Sequence, residues 1–274
     1  MKTTQTIFAK PIAFFKRDFK IATSYRMQYA TQGFGIILTT FSFFLLSKMF
    51  EGTQVSQLEP YGGDYFPFVL IGIALTDYFT ISTNTFANEI RTSQIVGTLE
   101  SLLVTPTSII TILLSSYVYK LLSTSFRIFF YILVGVFLFD MLLQPVNVIA
   151  LSLAFLLTLL PFFGIGLVSG VFIIVFKQGN PIGGLMAISS GLLGGVMYPV
   201  TVLPGWLKPF STILPITHGL EAIRQILLNG AGLTDIHRQL LFLAILSVFS
   251  LVTGMVSIYY GLRIAKKEGS LLHY

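Results

Sequence analysis

Cysteine is absent from this sequence. Disulfides, thiolate nucleophiles and thiolate metal sites are therefore excluded. Charge is scarce as well. Only 10% of the 274 residues are Asp, Glu, Lys or Arg, against about 25% in soluble domains. That is too little charge to cover a compact water-soluble fold of this size. The histidines, His218, His237 and His273, lack the short spacing of a metal site. No glycine is followed by lysine, so the GxxxxGK[ST] phosphate loop is missing. By that route the chain has no means of its own to bind and hydrolyse ATP.

What the sequence has instead is apolar length. Hydrophobic residues make up 54% of the chain, and the mean hydropathy is +0.83. They fall into blocks of about 18 residues or more, the length a membrane-spanning helix needs. A transmembrane β-barrel needs alternating polarity along short strands, and these blocks are solidly apolar. The fold class is an all-α integral membrane protein. The net charge of +6 reads as membrane topology rather than as a nucleic-acid surface.

Residues 1–31 form a basic arm. Lys2, Lys10, Lys16, Arg17, Lys20 and Arg26 face one acid, Asp18. Phe8, Ile12, Phe15 and Phe19 recur at helical spacing on the other side. The arm reads as an amphipathic helix lying on an anionic membrane surface, and not as a signal peptide. One transmembrane domain, 32–274, follows. Its spans are placed at about Gln32–Lys48, Phe66–Ala87, Tyr119–Phe139, Val146–Phe176, Pro181–Tyr198 and Gln239–Leu262. With the N-terminus inside, twelve lysines and arginines fall on the cytoplasmic side and four outside. That asymmetry puts both termini of a six-span protein in the cytoplasm.

Two connectors stand out. The first, about 89–106, is amphipathic, with Leu99, Leu102 and Leu103 on one face. It ends at Pro106, which should stop a helix. The second, about 199–229, holds Pro199, Pro204, Pro209 and Pro215. Its apolar pieces, Trp206–Leu214 and Ile216–Leu228, are too short to cross; the longer is about 20 Å. They fit a re-entrant pair entering from outside between spans 5 and 6, with Trp206 as an interfacial anchor. Glu221 and Arg224 stand at the i, i+3 spacing that permits an ion pair, and His218 reads as a hydrogen-bonded interfacial residue.

These connectors carry a resemblance. Gly97-Thr98-Leu99-Glu100-Ser101-Leu102-Leu103-Val104-Thr105-Pro106 resembles the GTLExLLxTP signature of type-2 ATP-binding-cassette (ABC) exporter permeases of the drug- and lipid-exporting branch. Tyr198-Pro199-Val200-Thr201-Val202-Leu203-Pro204-Gly205-Trp206-Leu207, followed by Leu214-Pro215-Ile216-Thr217-His218-Gly219-Leu220-Glu221-Ala222-Ile223-Arg224, resembles the family's segment after span 5. The family often has a Glu-Arg-rich run just before GTLE; here that stretch is Arg91–Val96, with a single charge.

The resemblance implies the permease subunit of an ATP-driven exporter. It would act as a homodimer, or as a heterodimer with a paralogous permease, on two cytoplasmic ABC ATPase subunits. ATP and Mg would be bound by those subunits and no cofactor by this chain, which would not be catalytic alone. It further implies a cytoplasmic coupling helix whose contact residues are Gly97, Thr98, Leu99, Glu100, Leu102 and Leu103. It implies an extracytoplasmic gate built from Tyr198, Pro199, Pro204, Trp206, Pro215, His218, Glu221 and Arg224; a static lid is the alternative. The location is the cell membrane, and the substrate a hydrophobic or amphipathic molecule such as a drug or lipid, with a lipid-linked polysaccharide as alternative.

Polar residues inside the spans are expensive in lipid. Asp77, Thr80, Asn84 and Asn88 form one stripe on span 2, and Lys120, Thr124, Arg127 and Tyr131 another on span 3. Helical rise puts Asp77 and Arg127 at matching depths, so they are expected to pair, for structure or along a polar path. Gly166/Gly170 and Gly191/Gly195 have the small-xxx-small spacing that allows close helix packing, within the chain or at a dimer seam. Pro161 is expected to kink span 4. An ion-coupled secondary transporter is the competing class. It is disfavoured because broken helices in matched halves are missing and Asp77 is the one carboxylate deep in a span. An intramembrane enzyme lacks the residue sets such chemistry requires. A non-transporting membrane scaffold would leave the coupling motif without a use.

Overall fold

The computed structural model describes residues 15–17, 19–20, 23–24, 26–50, 52, 55–97, 109–176 and 179–267. Among them the regular elements are all helical. Helix α1 (Arg26–Lys48) leads through a 3-10 turn (Ser56–Tyr61) into α2 (Tyr65–Ile95). Then come α3 (Ile109–Phe139), α4 (Val148–Phe176) and α5 (Pro181–Leu193). Two shorter helices, α6 (Lys208–Ile213) and α7 (Pro215–Asn229), precede α8 (His237–Lys267). Among the described residues, α1, α2, α3, α4 and α8 are long and apolar enough to cross a membrane.

α2 holds the centre. It carries Asp77 and a run of hydroxyl and amide side chains, which lipid penalises. It is accordingly the most buried of the long helices. Its hydroxyls are satisfied locally. Thr76, Thr83 and Thr85 donate to the carbonyls of Gly72, Phe79 and Ile81 at 2.8, 2.8 and 2.6 Å. Phe66, Leu70, Ile71, Phe79 and Phe86 give it an apolar surface for α3, α4 and α7.

Two tight seams fix α4 between α2 and α8. A Cβ on Gly166 would lie 2.1 Å from the Ser82 carbonyl oxygen, and one on Gly164 would lie 2.4 Å from the Ser250 backbone. The Gly166/Gly170 face is thus an intrachain seam against α2, whereas Gly191 meets open space. Pro161 sits inside α4. Lacking an N–H, it frees the carbonyl of Leu157, and Ser247 Oγ on α8 donates to that oxygen at 3.2 Å. Ser250 Oγ donates to the Pro161 carbonyl at 2.5 Å.

Several boundaries differ from the sequence expectation. α1 begins at Arg26, so residues 26–31 belong to the first long helix rather than to the arm. Most of the expected arm helix, including residues 1–14, lies outside the described residues. α2 runs eight residues past Ala87, to Ile95. The connector expected at 89–106 therefore begins as the last turns of a span. Polarity marks where a helix leaves the hydrocarbon, not where it ends. The helix stops near Gly97, whose φ of +72° favours glycine. α3 starts at Ile109, ten residues before Tyr119, so the moderately apolar stretch ahead of the expected span is helix as well. The fifth span, expected to reach Tyr198, is a helix of 13 residues ending at Leu193. It is about 20 Å long, and Gly194 and Gly195 break it, the latter at φ +75°.

Candidate functional site

The connector after α5 folds into a compact unit. Pro215 starts α7 at a position where proline costs no hydrogen bond. The apolar face of α7, with Ile216, Leu220, Ile223 and Ile226, is buried against the bundle. Its polar edge, Glu221, Gln225 and Asn229, recurs every fourth residue and meets the 3-10 turn. Tyr61 Oη donates to Glu221 Oε2 at 2.5 Å. Gln225 and Asn229 donate to the Pro60 carbonyl at 3.3 and 2.6 Å. Burial, then the neighbouring Glu221 carboxylate, pushes the Tyr61 hydroxyl well above the ordinary tyrosine range.

Arg224 is the buried cation of this unit, 2% exposed. Its guanidinium carbon stands 3.4 Å from the centroid of the Phe68 ring. Nε and Nη2 donate to the Phe68 carbonyl at 3.1 and 2.8 Å. Nη1 donates to Gly195 O at 2.6 Å, and Nη2 also to Val196 O at 2.8 Å. Gly72 makes room for this: a Cβ there would lie 2.5 Å from Arg224 Nη2. The expected Glu221–Arg224 pair gives way to this arrangement. The two side chains leave α7 in different directions, one toward the 3-10 turn and one into the carbonyls that α5 loses when it breaks. Burial lowers the Arg224 guanidinium from its usual value, and the interactions with Tyr61 and Glu221 work against that.

The other expected gate residues surround this core. Tyr198 Oη donates to the Leu192 carbonyl. Pro199 and Pro215 are buried, Pro204 is exposed, and Trp206 is 71% exposed. His218 Nε2 lies 2.8 Å from Thr212 O, and its ring stacks on Phe242 at 4.9 Å.

Midway along α2, Arg127 Nε on α3 lies 2.9 Å from Asp77 Oδ2, with both side chains about 30% exposed. Nearer the far end, Asn180 Nδ2 donates to Asn84 Oδ1 at 2.7 Å while its own Oδ1 caps α5 at Gly183 N. The polar stripe of α2 thus reaches α3 through Asp77 and α5 through Asn84.

At the end of α2 near Gly97, Glu89 accepts from Arg17 Nη2 at 3.2 Å and from Ser116 Oγ at 3.3 Å. Of the expected coupling residues, Gly97 terminates α2, while Thr98, Leu99, Glu100, Leu102 and Leu103 lie outside the described residues. Sequence reasoning missed Tyr61, Phe68, Glu89 and Asn180 as partners. Only Glu89 carried a signal, as a carboxylate beside a polar turn facing a basic arm.

Residues 12–228 match the family described as ABC-2 type transporter. Two relatives share shorter stretches. The linearmycin resistance permease protein LnrN of Bacillus subtilis (strain 168) is 30% identical over 93 residues, 34% of this chain and 23% of that protein. ABC transporter G family member 20 of Dictyostelium discoideum is 39% identical over 56 residues, 20% of this chain and 8% of that protein. The matched stretches thus span less than a quarter of either relative's own length.

Proposed function

The chain belongs to the ABC-2 type transporter family, a membrane permease component that works with ABC ATPase subunits, and from that premise we propose that it forms half of an ATP-driven exporter. Two copies, or this chain and a paralogous permease, bind two ATPase subunits at the cytoplasmic face. α5 together with residues 194–198 makes the fifth of six crossings, α6 and α7 are re-entrant from outside, and both termini are cytoplasmic. The observation that carries this reading is the family match over residues 12–228. It covers the GTLE segment and the outer unit up to Leu228.

The mechanism follows from α2. Its 31 residues make one rod of about 46 Å. One end leads through Gly97 into the segment Thr98, Leu99, Glu100, Leu102 and Leu103, which docks on the ATPase. The other end carries Phe68, whose carbonyl and ring hold Arg224. Closure of the ATPase pair on ATP pushes the first end, and the rod delivers the displacement to the outer unit. Pro199, Pro204, Trp206 and His218 then move with α7 as the gate. Asp77 and Arg127 keep α3 attached to the rod during the stroke. The substrate is a hydrophobic or amphipathic molecule, in keeping with the resistance named for the Bacillus relative. ATP and Mg stay with the partner.

Isolation of the tagged chain from its native membranes in mild detergent tests this. A stoichiometric ABC ATPase is expected with it, and Glu100→Arg should release that ATPase while the permease stays monodisperse. A folded permease with no ATPase would overturn the exporter reading and make ion-coupled transport through Asp77 the next candidate.

A further inference from the structure

Beside the Asp77–Arg127 pair lies a groove of about 530 Å³, apart from the gate and coupling residues named above. Its walls are α1 and α3, and the rings of Phe15 and Phe19 close one end. Ile36, Leu122, Phe126 and Phe130 make the interior apolar. The space beside Gly33 is open, since a Cβ there would come no closer than 4.0 Å to Phe130. The volume falls within the roughly 300–1,000 Å³ of small-ligand pockets.

The closing end is tied down and basic. Phe15 packs edge-on against Tyr119 at 5.5 Å, and Arg17 is held by Glu89 at 3.2 Å. Lys16 and Lys20, the neighbours of the closing rings, are exposed, and Lys120 follows Tyr119 on α3. The groove therefore offers a largely apolar slot with exposed lysines next to its closing rings, while the one cation in its wall, Arg127, is paired with Asp77. A bare lipid-facing helix pair would lack the floor that the arm supplies. A protein partner would need polar contacts along the slot, whose surface is mostly apolar, with Thr23, Gln32, Ser123 and the already paired Arg127 as its polar side chains.

We propose that this groove binds one anionic phospholipid, its phosphate at Lys16, Lys20 and Lys120 and an acyl chain along α1 and α3 as far as Phe130. The proposal rests on the arm lying at the membrane surface, and it needs no ATPase. Each lysine near a charged lipid headgroup contributes about fivefold in affinity.

The test uses the full chain in vesicles of phosphatidylcholine, with Trp206→Phe removing the one tryptophan and Phe126→Trp placing a reporter in the groove. Brominated phosphatidylglycerol is titrated in and quenching is followed. The expected result is a preference for phosphatidylglycerol over brominated phosphatidylcholine of at least about fivefold. It should fall toward unity in Lys16→Ser/Lys20→Ser/Lys120→Ser and, independently, in Gly33→Leu. A control reporter at Phe249, exposed on α8, should show no preference. Equal quenching by both lipids at Phe126→Trp overturns the proposal, as does a preference that both groove variants leave intact. Because only the permease is present, a failed ATPase pull-down leaves this measurement readable.

Discussion

The guanidinium of Arg224 on α7 stands 3.4 Å over the ring of Phe68 and donates to the carbonyl of that same residue, 156 positions away in sequence. Its remaining hydrogen bonds go to Gly195 and Val196, the residues where α5 breaks. One side chain therefore closes three backbone acceptors from two elements. A buried acceptor left without a donor costs about 1–3 kcal/mol.

Arg224→Lys should lower stability by several kcal/mol on that figure, because an ammonium cannot fork across three carbonyls. The measurement is the thermal midpoint of the purified chain in detergent. Gly72→Ala should approach the same loss, since its Cβ would lie 2.2 Å from Val196 O. A midpoint unchanged in both would mean that the outer unit is not held by this cation.

Asp77 and Arg127 should behave as a pair. Asp77→Asn and Arg127→Gln are each expected to destabilise, and the double variant to recover most of the loss. Breaking a fully buried pair costs about 3–5 kcal/mol. With both side chains about 30% exposed, the effect should be smaller. Independent losses of transport in well-folded single variants would instead mark a polar path.

Alkaline pH should loosen the outer unit through Tyr61. Burial and Glu221 raise its hydroxyl above the ordinary value, so the folded state favours the protonated form. That contribution is complete below the unfolded value of about 10. It declines as pH rises above that value, because the unfolded chain then releases a proton that the folded chain keeps. Tyr61→Phe should flatten the stability curve above about pH 10. An identical alkaline slope in variant and wild type would remove Tyr61 from the explanation.

The two glycine pairs read from the sequence should separate. Gly166→Leu is expected to prevent folding, because its Cβ already meets the Ser82 carbonyl oxygen. Gly191→Leu faces open space in the single chain and should leave the monomer intact. Size-exclusion profiles of both variants distinguish these outcomes, and aggregation of Gly191→Leu would show that this face packs within the chain after all.

The long helices were legible because lipid demands apolar blocks of a set length. Their true ends were not. Asn88 to Gln94 is mostly polar and the stretch before Tyr119 only moderately apolar, so the sequence suggested connectors where α2 and α3 continue as helix. The matching depths of Asp77 and Arg127 were readable from helical rise, since both lie well inside long helices. Arg224 was not readable in the same way. Spacing on α7 offered Glu221 as its nearest partner, and nothing local points to carbonyls of Phe68 and Gly195. Tyr61 likewise sits in a short turn whose partner is 160 residues away.

The proline in α4 has a mechanical consequence. An acceptor stranded in hydrocarbon costs several kcal/mol, and α8 lowers that cost by sharing the Ser247 hydroxyl between its own Leu243 carbonyl at 2.6 Å and Leu157 at 3.2 Å, while Ser250 adds a second donor to the Pro161 carbonyl. Sliding α8 along α4 by even one turn would strip the donor from the Leu157 acceptor. The two helices are thereby welded at mid-depth and travel as one beam. Whatever rearranges during a transport cycle has to do so along other seams.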